Sequence, residues 1–430
     1  MRYHARWVLP IASAPISNGT VVEDEGRITY VGPRSDAPPG DDYDLGDALL
    51  LPGLINTHTH LELTVMRGFL EDLCFSDWIS KLRRSRNEVL SNEMLLDSAR
   101  LGILEGLQAG VTTYADTCSS GVVMQAMKEL GVRGVMFQET FGPDPAVADS
   151  AMAELDRRVS SLIGEQTDLV TLGVSPHAPY TVSDDLYAAA SRYAVSKNLP
   201  LAMHIAESRE EEEIVVDGTG DFAEGWKKRG IDPRPRARSP IALLEKLGLL
   251  TERSLLIHCV RLDDAGIAAI ASHRCAVAHC PASNAKFGHG VAPILPLLAA
   301  GVRVGIGSDS VASNNRMDLL DEARLAVLMH RAVSQRHDAF GARDALRLAT
   351  IGGAAALGIN DRVGTLEIGK DADVAAFRLD SARTVPSGDP EAAALFALSG
   401  RSADLVTVKG RRLVEKGITA APIAPLLHSV

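Results

Sequence analysis

Eight short apolar runs constrain this chain more than any other feature. They span 49–60, 111–116, 133–138, 170–175, 201–205, 254–258, 275–279 and 302–307. Between them lie stretches such as 94–109 and 185–196, where apolar residues recur at helical spacing. Strands that alternate with helices build parallel sheets. Eight such units in roughly 300 residues predict an α/β fold, a (β/α)8 TIM-like barrel.

The ends of the chain read differently. Residues 19–32, 364–377 and 405–414 look like short strands joined at glycine turns. Residues 1–50 are too few to bury a stable core alone. The expectation is a small composite β-sandwich of 1–50 and 358–430, enclosing a barrel of 51–357. Two insertions break the barrel's rhythm, 61–93 after the first strand and 208–240 after the fifth. At strand C-termini of a barrel, both would cover the active site. The glutamate run 210–213 within the second reads as a solvated charge run.

The net charge of −11 argues against nucleic acid and anionic membranes as partners. No stretch has the ~18 uninterrupted apolar residues of a membrane span, and the first residues have no signal-peptide core. Five scattered cysteines without a CxxC pair fit reduced thiols in the cytoplasm.

Polar residues gather where the predicted strands end. His58 and His60 close the first, and residues two apart on a strand share a face. His177 ends the fourth, His204 the fifth with Glu207 three residues on, His258 the sixth, His279 the seventh and Asp309 the eighth. A barrel gathers such ends into one ring. Three histidines and one carboxylate suit a single Zn²⁺, with Fe²⁺ as the alternative ion. His58, His60, His204 and Asp309 are the expected ligands. Glu207 is the expected proton carrier, and His258 the residue that orients the attacking water, with direct metal ligation as the alternative role for His258. No lysine on the fourth strand offers to bridge a second metal.

These stretches, 52–60, 175–180, 204–207, 258–259 and 307–310, resemble the amidohydrolase superfamily. Within it they are similar to the branch of methylthioadenosine/S-adenosylhomocysteine deaminases, aminodeoxyfutalosine deaminases and triazine hydrolases. The resemblance implies the same ligands, with Glu207, His258 and Asp309 catalytic, His177 binding substrate and His279 without a fixed role. It implies hydrolytic release of ammonia from a 6-aminopurine nucleoside-like small molecule, and a homodimer is common among such enzymes. A glutamate after the first strand grips the ribose in the methylthioadenosine group. Glu88 matches it after a register shift, and Glu62 is the other acid near the pocket. Arg83, Arg84 and Arg86 make this covering loop basic, which suits an anionic substrate arm. Amino- or chlorohydrolysis of an s-triazine and hydrolysis of a cyclic amide are the alternatives.

Overall fold

The apolar run 49–60 divides at Gly53 in the computed structural model, which describes residues 1–424 and residue 426. Ala48–Pro52 joins a sheet built from both ends of the chain, whereas Leu54–Thr59 opens the barrel. Glycine is required at the break, because a Cβ on Gly53 would lie 2.2 Å from Thr112 Oγ1.

Eight parallel strands follow in chain order: Leu54–Thr59, Val111–Cys118, Arg133–Thr140, Val170–Pro176, Leu201–Ile205, Ser254–His258, Ala276–His279 and Arg303–Ile306. Each predicted strand is present, so the (β/α)8 expectation holds. The ring closes between its first and last strands. Thr59 and Asp309 form a parallel bridge there, and the Asp309 N–H donates to the His58 carbonyl at 2.9 Å. Asn56 stitches the same seam, donating from Nδ2 to Ser308 Oγ at 2.8 Å and accepting the Ser308 N–H at 2.9 Å. A Cβ on Gly307 would lie 2.9 Å from both His58 Cβ and His58 N, so only glycine lets the two strands meet. Closure therefore sets His58 beside Asp309.

The terminal segments form one nine-stranded sheet. Its centre pairs Ala48–Pro52 antiparallel with Val374–Arg378, matching Leu50 to Ala376. Tyr3, Val21, Ile28 and Leu50 from one end share an apolar cluster with Val374 and Leu405 from the other. Each such side chain contributes about 1.5–3 kcal/mol when buried, so neither end supplies this core alone. Arg133, at the start of the third barrel strand, ties the two parts together. It donates from Nε to Asp373 at 2.9 Å and from Nη2 to Asp371 at 2.8 Å, all three side chains being buried. Helix Pro390–Ala397 packs instead against the barrel helices Leu319–Ser334 and Ala342–Arg347.

The two insertions meet over the barrel mouth. Helix Phe75–Val89 brings Phe75 and Trp78, and helices Arg209–Val216 and Asp221–Lys227 bring Ile214 and Trp226, into one apolar cluster around Tyr180. Among the described residues, no helix is long and apolar enough to cross a membrane.

Candidate metal centre and substrate cavity

Strand alternation turns the rings of His58 and His60 to one side, 4.8 Å apart by their centroids. His58 Nε2 lies 3.2 Å and His60 Nε2 3.6 Å from Asp309 Oδ1. His204, from the fifth strand, brings its Nε2 to 3.2 Å from His60 Nε2. Both ring nitrogens of His58 are buried with no hydrogen-bond partner. Uncharged donors facing one another without protons to share are what a cation needs and what packing alone avoids. Burial lowers all three rings, His60 to about 4. Burial would raise the Asp309 carboxyl, but His58, then His258 and His60, hold it well below the carboxylate range. Neutral imidazole and ionised carboxylate are the ligating forms. The thiol-free, nitrogen-rich set suits zinc.

Beside this set stands a second group. Glu207 is buried, its Oε1 3.4 Å from His258 Nε2 and 3.8 Å from His289 Nε2. Burial pushes its carboxyl well above the ordinary value, with Asp309, Glu211 and Glu210 adding to the effect. His258 Nδ1 meets Asn284 Oδ1 at 2.9 Å, which assigns the proton to Nδ1 and leaves Nε2 as an acceptor facing Glu207. Ser283 and Ser313 donate to Asp309 Oδ2 at 2.6 and 3.0 Å. The backbone here is strained: Ala206, His258 and Asp309 all have φ between 50° and 75°. The bonds to Asn284, Ser283 and Ser313 anchor the side chains of His258 and Asp309 at two of these turns.

A cavity of about 1150 Å³ opens from the metal donors and is lined by His60, Glu62, Arg86, Glu139, His177 and Thr181 among others. His177 Nδ1 meets Thr181 Oγ1 at 2.8 Å, and its ring lies 4.6 Å from that of His204. Glu207 stands at the barrel mouth next to His258 and His289. Glu88 is exposed at the end of its helix and does not line the cavity. Its neighbour Arg86 turns inward to Glu62, at 3.1 Å from Nε and 3.0 Å from Nη2. His279 packs near His330, their centroids 5.7 Å apart, and joins none of the convergent donor groups.

A family model described as "Amidohydrolase family" matches residues 49–413. The chain belongs to the amidohydrolase family. This amidohydrolase is 33% identical over 418 residues to a 5-methylthioadenosine/S-adenosylhomocysteine deaminase of Moorella thermoacetica, covering 95% of this chain and 93% of that one. It superposes on an adenosine deaminase from Xanthomonas campestris with bound zinc at a TM-score of 0.87, with 28% identity over 99% and 96% of the two chains. An atrazine chlorohydrolase from Arthrobacter aurescens complexed with zinc gives a TM-score of 0.85 and 26% identity over 99% and 98%. The family and these zinc-bound structures support a metal cofactor for the amidohydrolase.

Three site neighbours escape the sequence reading. His289 stands between Gly288 and Gly290, a pattern that stands out in the sequence but says nothing of Glu207. Glu139 is the last residue but one of the third strand, just beyond the apolar run 133–138. Glu211 belongs to the run expected to be solvated, yet it is fully buried. Its carboxylate accepts the N–H groups of Ala206 and Glu207, both at 2.8 Å. The signal was Ser208-x-x-Glu211, a helix-start pattern whose hydroxyl accepts the Glu211 N–H at 3.1 Å. Glu211→Gln turns an amide N–H₂ toward one of those donors. Turnover is expected to fall about 10-fold with KM unchanged, since one charged hydrogen bond is worth about 1.5–3 kcal/mol. Burial raises Glu211 from 4.5 to about 7. The folded chain thus keeps a proton that the unfolded chain releases, and this group's stability term falls as pH rises from 4.5 through about 7. Denaturant titrations across that window should show a flatter decline in the variant.

Proposed function

We propose that this amidohydrolase deaminates a 6-aminopurine nucleoside or a close relative by hydrolysis, releasing ammonia. The observation that carries this reading is Glu207: a buried carboxyl, its ionisation opposed by burial, 3.4 Å from His258 and beside the convergent groups His58, His60, His204 and His58, His258, Asp309. Deamination of a cyclic amidine needs a proton delivered to the ring nitrogen as water adds to the adjacent carbon. His58, His60, His204 and Asp309 would hold one Zn²⁺, which when bound would bring the acidity of water into the neutral range. Glu207 donates its proton to the ring nitrogen. The acceptor Nε2 of His258, set by Asn284, orients the attacking water. Asp309, kept ionised by its neighbours, takes up the water's proton and passes it toward the departing amine. His177, which lines the cavity with Glu62, binds the substrate. The barrel of 51–357 forms the hydrolase unit and the two ends its composite β-domain. Five free cysteines fit a reducing cytoplasm.

The similarity to deaminases of adenosine-type nucleosides across nearly the whole chain supports this substrate class. The atrazine chlorohydrolase likeness supports a second reading, hydrolysis of an s-triazine. One screen separates them. Zinc-loaded protein is offered adenosine, methylthioadenosine, S-adenosylhomocysteine, aminodeoxyfutalosine and chlorinated or aminated triazines, with ammonia and chloride measured. The expected result is ammonia from at least one nucleoside, with kcat/KM at least ~10⁴ M⁻¹ s⁻¹, the lower end of ordinary enzymes. Chloride release, or ammonia from triazines alone, refutes it. Metal analysis of the same preparation separates zinc from iron.

A further inference from the structure

The cavity wall holds two buried carboxylates of opposite character. Glu62 is filled. It accepts six donor contacts, from Arg86 Nε and Nη2, Cys118 Sγ, Ser119 Oγ and the N–H and hydroxyl of Ser120. A substrate hydroxyl could reach it only by displacing one of these. Glu139 is open. Its side chain lines the same cavity, the residue is only 8% exposed, and its Oε1 is buried with no hydrogen-bond partner. It stands beside His177, where one of its oxygens and a ring nitrogen each of His177 and His204 all fall within 4.8 Å of one another. Buried acceptors without donors are rare in folded proteins and cost about 1–3 kcal/mol, so such a group is expected to meet its partner in a ligand.

The geometry points to Glu139 as the residue that binds the hydroxyl groups of the substrate's ribosyl arm. This rests on the nucleoside reading above and extends it. A 5′-substituted adenosine brings two kinds of strong donor, the exocyclic amine and the 2′- and 3′-hydroxyls. The amine must face the metal donors for hydrolysis, so the hydroxyls are the donors left for Glu139. His177, which shares its corner of the cavity, would then flank the join of ring and sugar. Glu88 is too far out on its helix for this task, and Glu62 serves to tie Arg86 and the covering helix to the wall. Burial, then Glu62 and Asp116, push the Glu139 carboxyl up, with Arg86 opposing them.

The test pairs two variants with matched substrates. Wild type, Glu139→Gln and Glu139→Ala are assayed with the best nucleoside of the screen and its 2′,3′-dideoxy analogue. With the hydroxylated substrate, Glu139→Ala is expected to lower kcat/KM about 10- to 100-fold, mostly through KM, with Glu139→Gln intermediate. With the dideoxy analogue, both variants should stay within about 3-fold of wild type. Both should keep their metal, and Tm should hold or rise because an unpaired buried acceptor is removed. Equal losses on both substrates overturn the assignment. So does a loss confined to S-adenosylhomocysteine and absent from methylthioadenosine, which would point to the ammonium group instead. If wild type releases ammonia from no nucleoside, the deaminase reading fails on its own account. Calorimetric binding of the same pair then decides Glu139: hydroxyl-dependent binding lost in Glu139→Ala upholds the assignment, and anything else overturns it.

Discussion

Glu207→Gln is expected to keep its metal and lose about 10³-fold in kcat, within the usual range for general acid–base groups. Glutamine has the same shape but neither gives nor takes the proton. Glu207 is not among the convergent metal donors, so the ion should remain. Nor should the fold suffer. The carboxyl is buried, and Asp309, Glu211 and Glu210 all oppose its ionisation. Its value in the folded chain lies above 4.5, so its stability term is lost as pH rises above that point. The glutamine variant should therefore unfold at an equal or higher temperature at pH 8. Metal analysis, single-turnover kinetics and thermal melts check the three parts. A kcat within 10-fold of wild type removes Glu207 from the chemistry, and loss of metal makes it a ligand instead.

Asp309→Asn is expected to abolish turnover by a different route, through the metal. Asp309 is the one carboxylate in the donor set and sits 3.2 Å from His58 Nε2. It brings the negative charge that three neutral imidazoles lack. Asparagine fills the same space and still offers one acceptor to Ser283 or Ser313, so the turn should survive. Zinc affinity should fall at least about 100-fold and kcat/KM at least about 10³-fold, since in the proposed reaction the same residue also takes the water's proton. Zinc at 1,000 times its dissociation constant stabilises a folded chain by about 4 kcal/mol. Wild-type Tm should accordingly rise by several degrees between chelator and zinc, whereas the variant should show almost no change. A variant that melts with the same zinc dependence as wild type would remove Asp309 from the ligand set.

Much of this site could be read along the chain because its signals are local. His58 and His60 share a face by the two-residue period of a strand, whatever lies elsewhere. His204 and Glu207 fall at one strand end, and the strand limits follow from runs of apolar residues a few positions long. Glu88 shows where that reading stops. Its place in a basic, helix-forming stretch was legible, but which face of the helix looks into the cavity depends on how Phe75 and Trp78 dock on Tyr180, Phe222 and Phe287. Glu211 is a similar case. Four consecutive glutamates look alike in sequence, and only the turn at Ala206, in the left-handed region, brings two N–H groups to one of them.

The sequence by itself determined eight alternating β/α units, a pair of end segments unable to form a core separately, and the residue types of the metal centre. These depend on periodicity and on the side chains near each strand end. The tertiary structure decided the rest. It closed the ring between Thr59 and Asp309, residues far apart in sequence, through the space left by Gly307. It filled Glu62 with donors and left Glu139 without one, though both are acids near strand ends. Whether a buried carboxylate is satisfied depends on donors that other strands and helices bring to it, and that proximity exists only once the chain has folded.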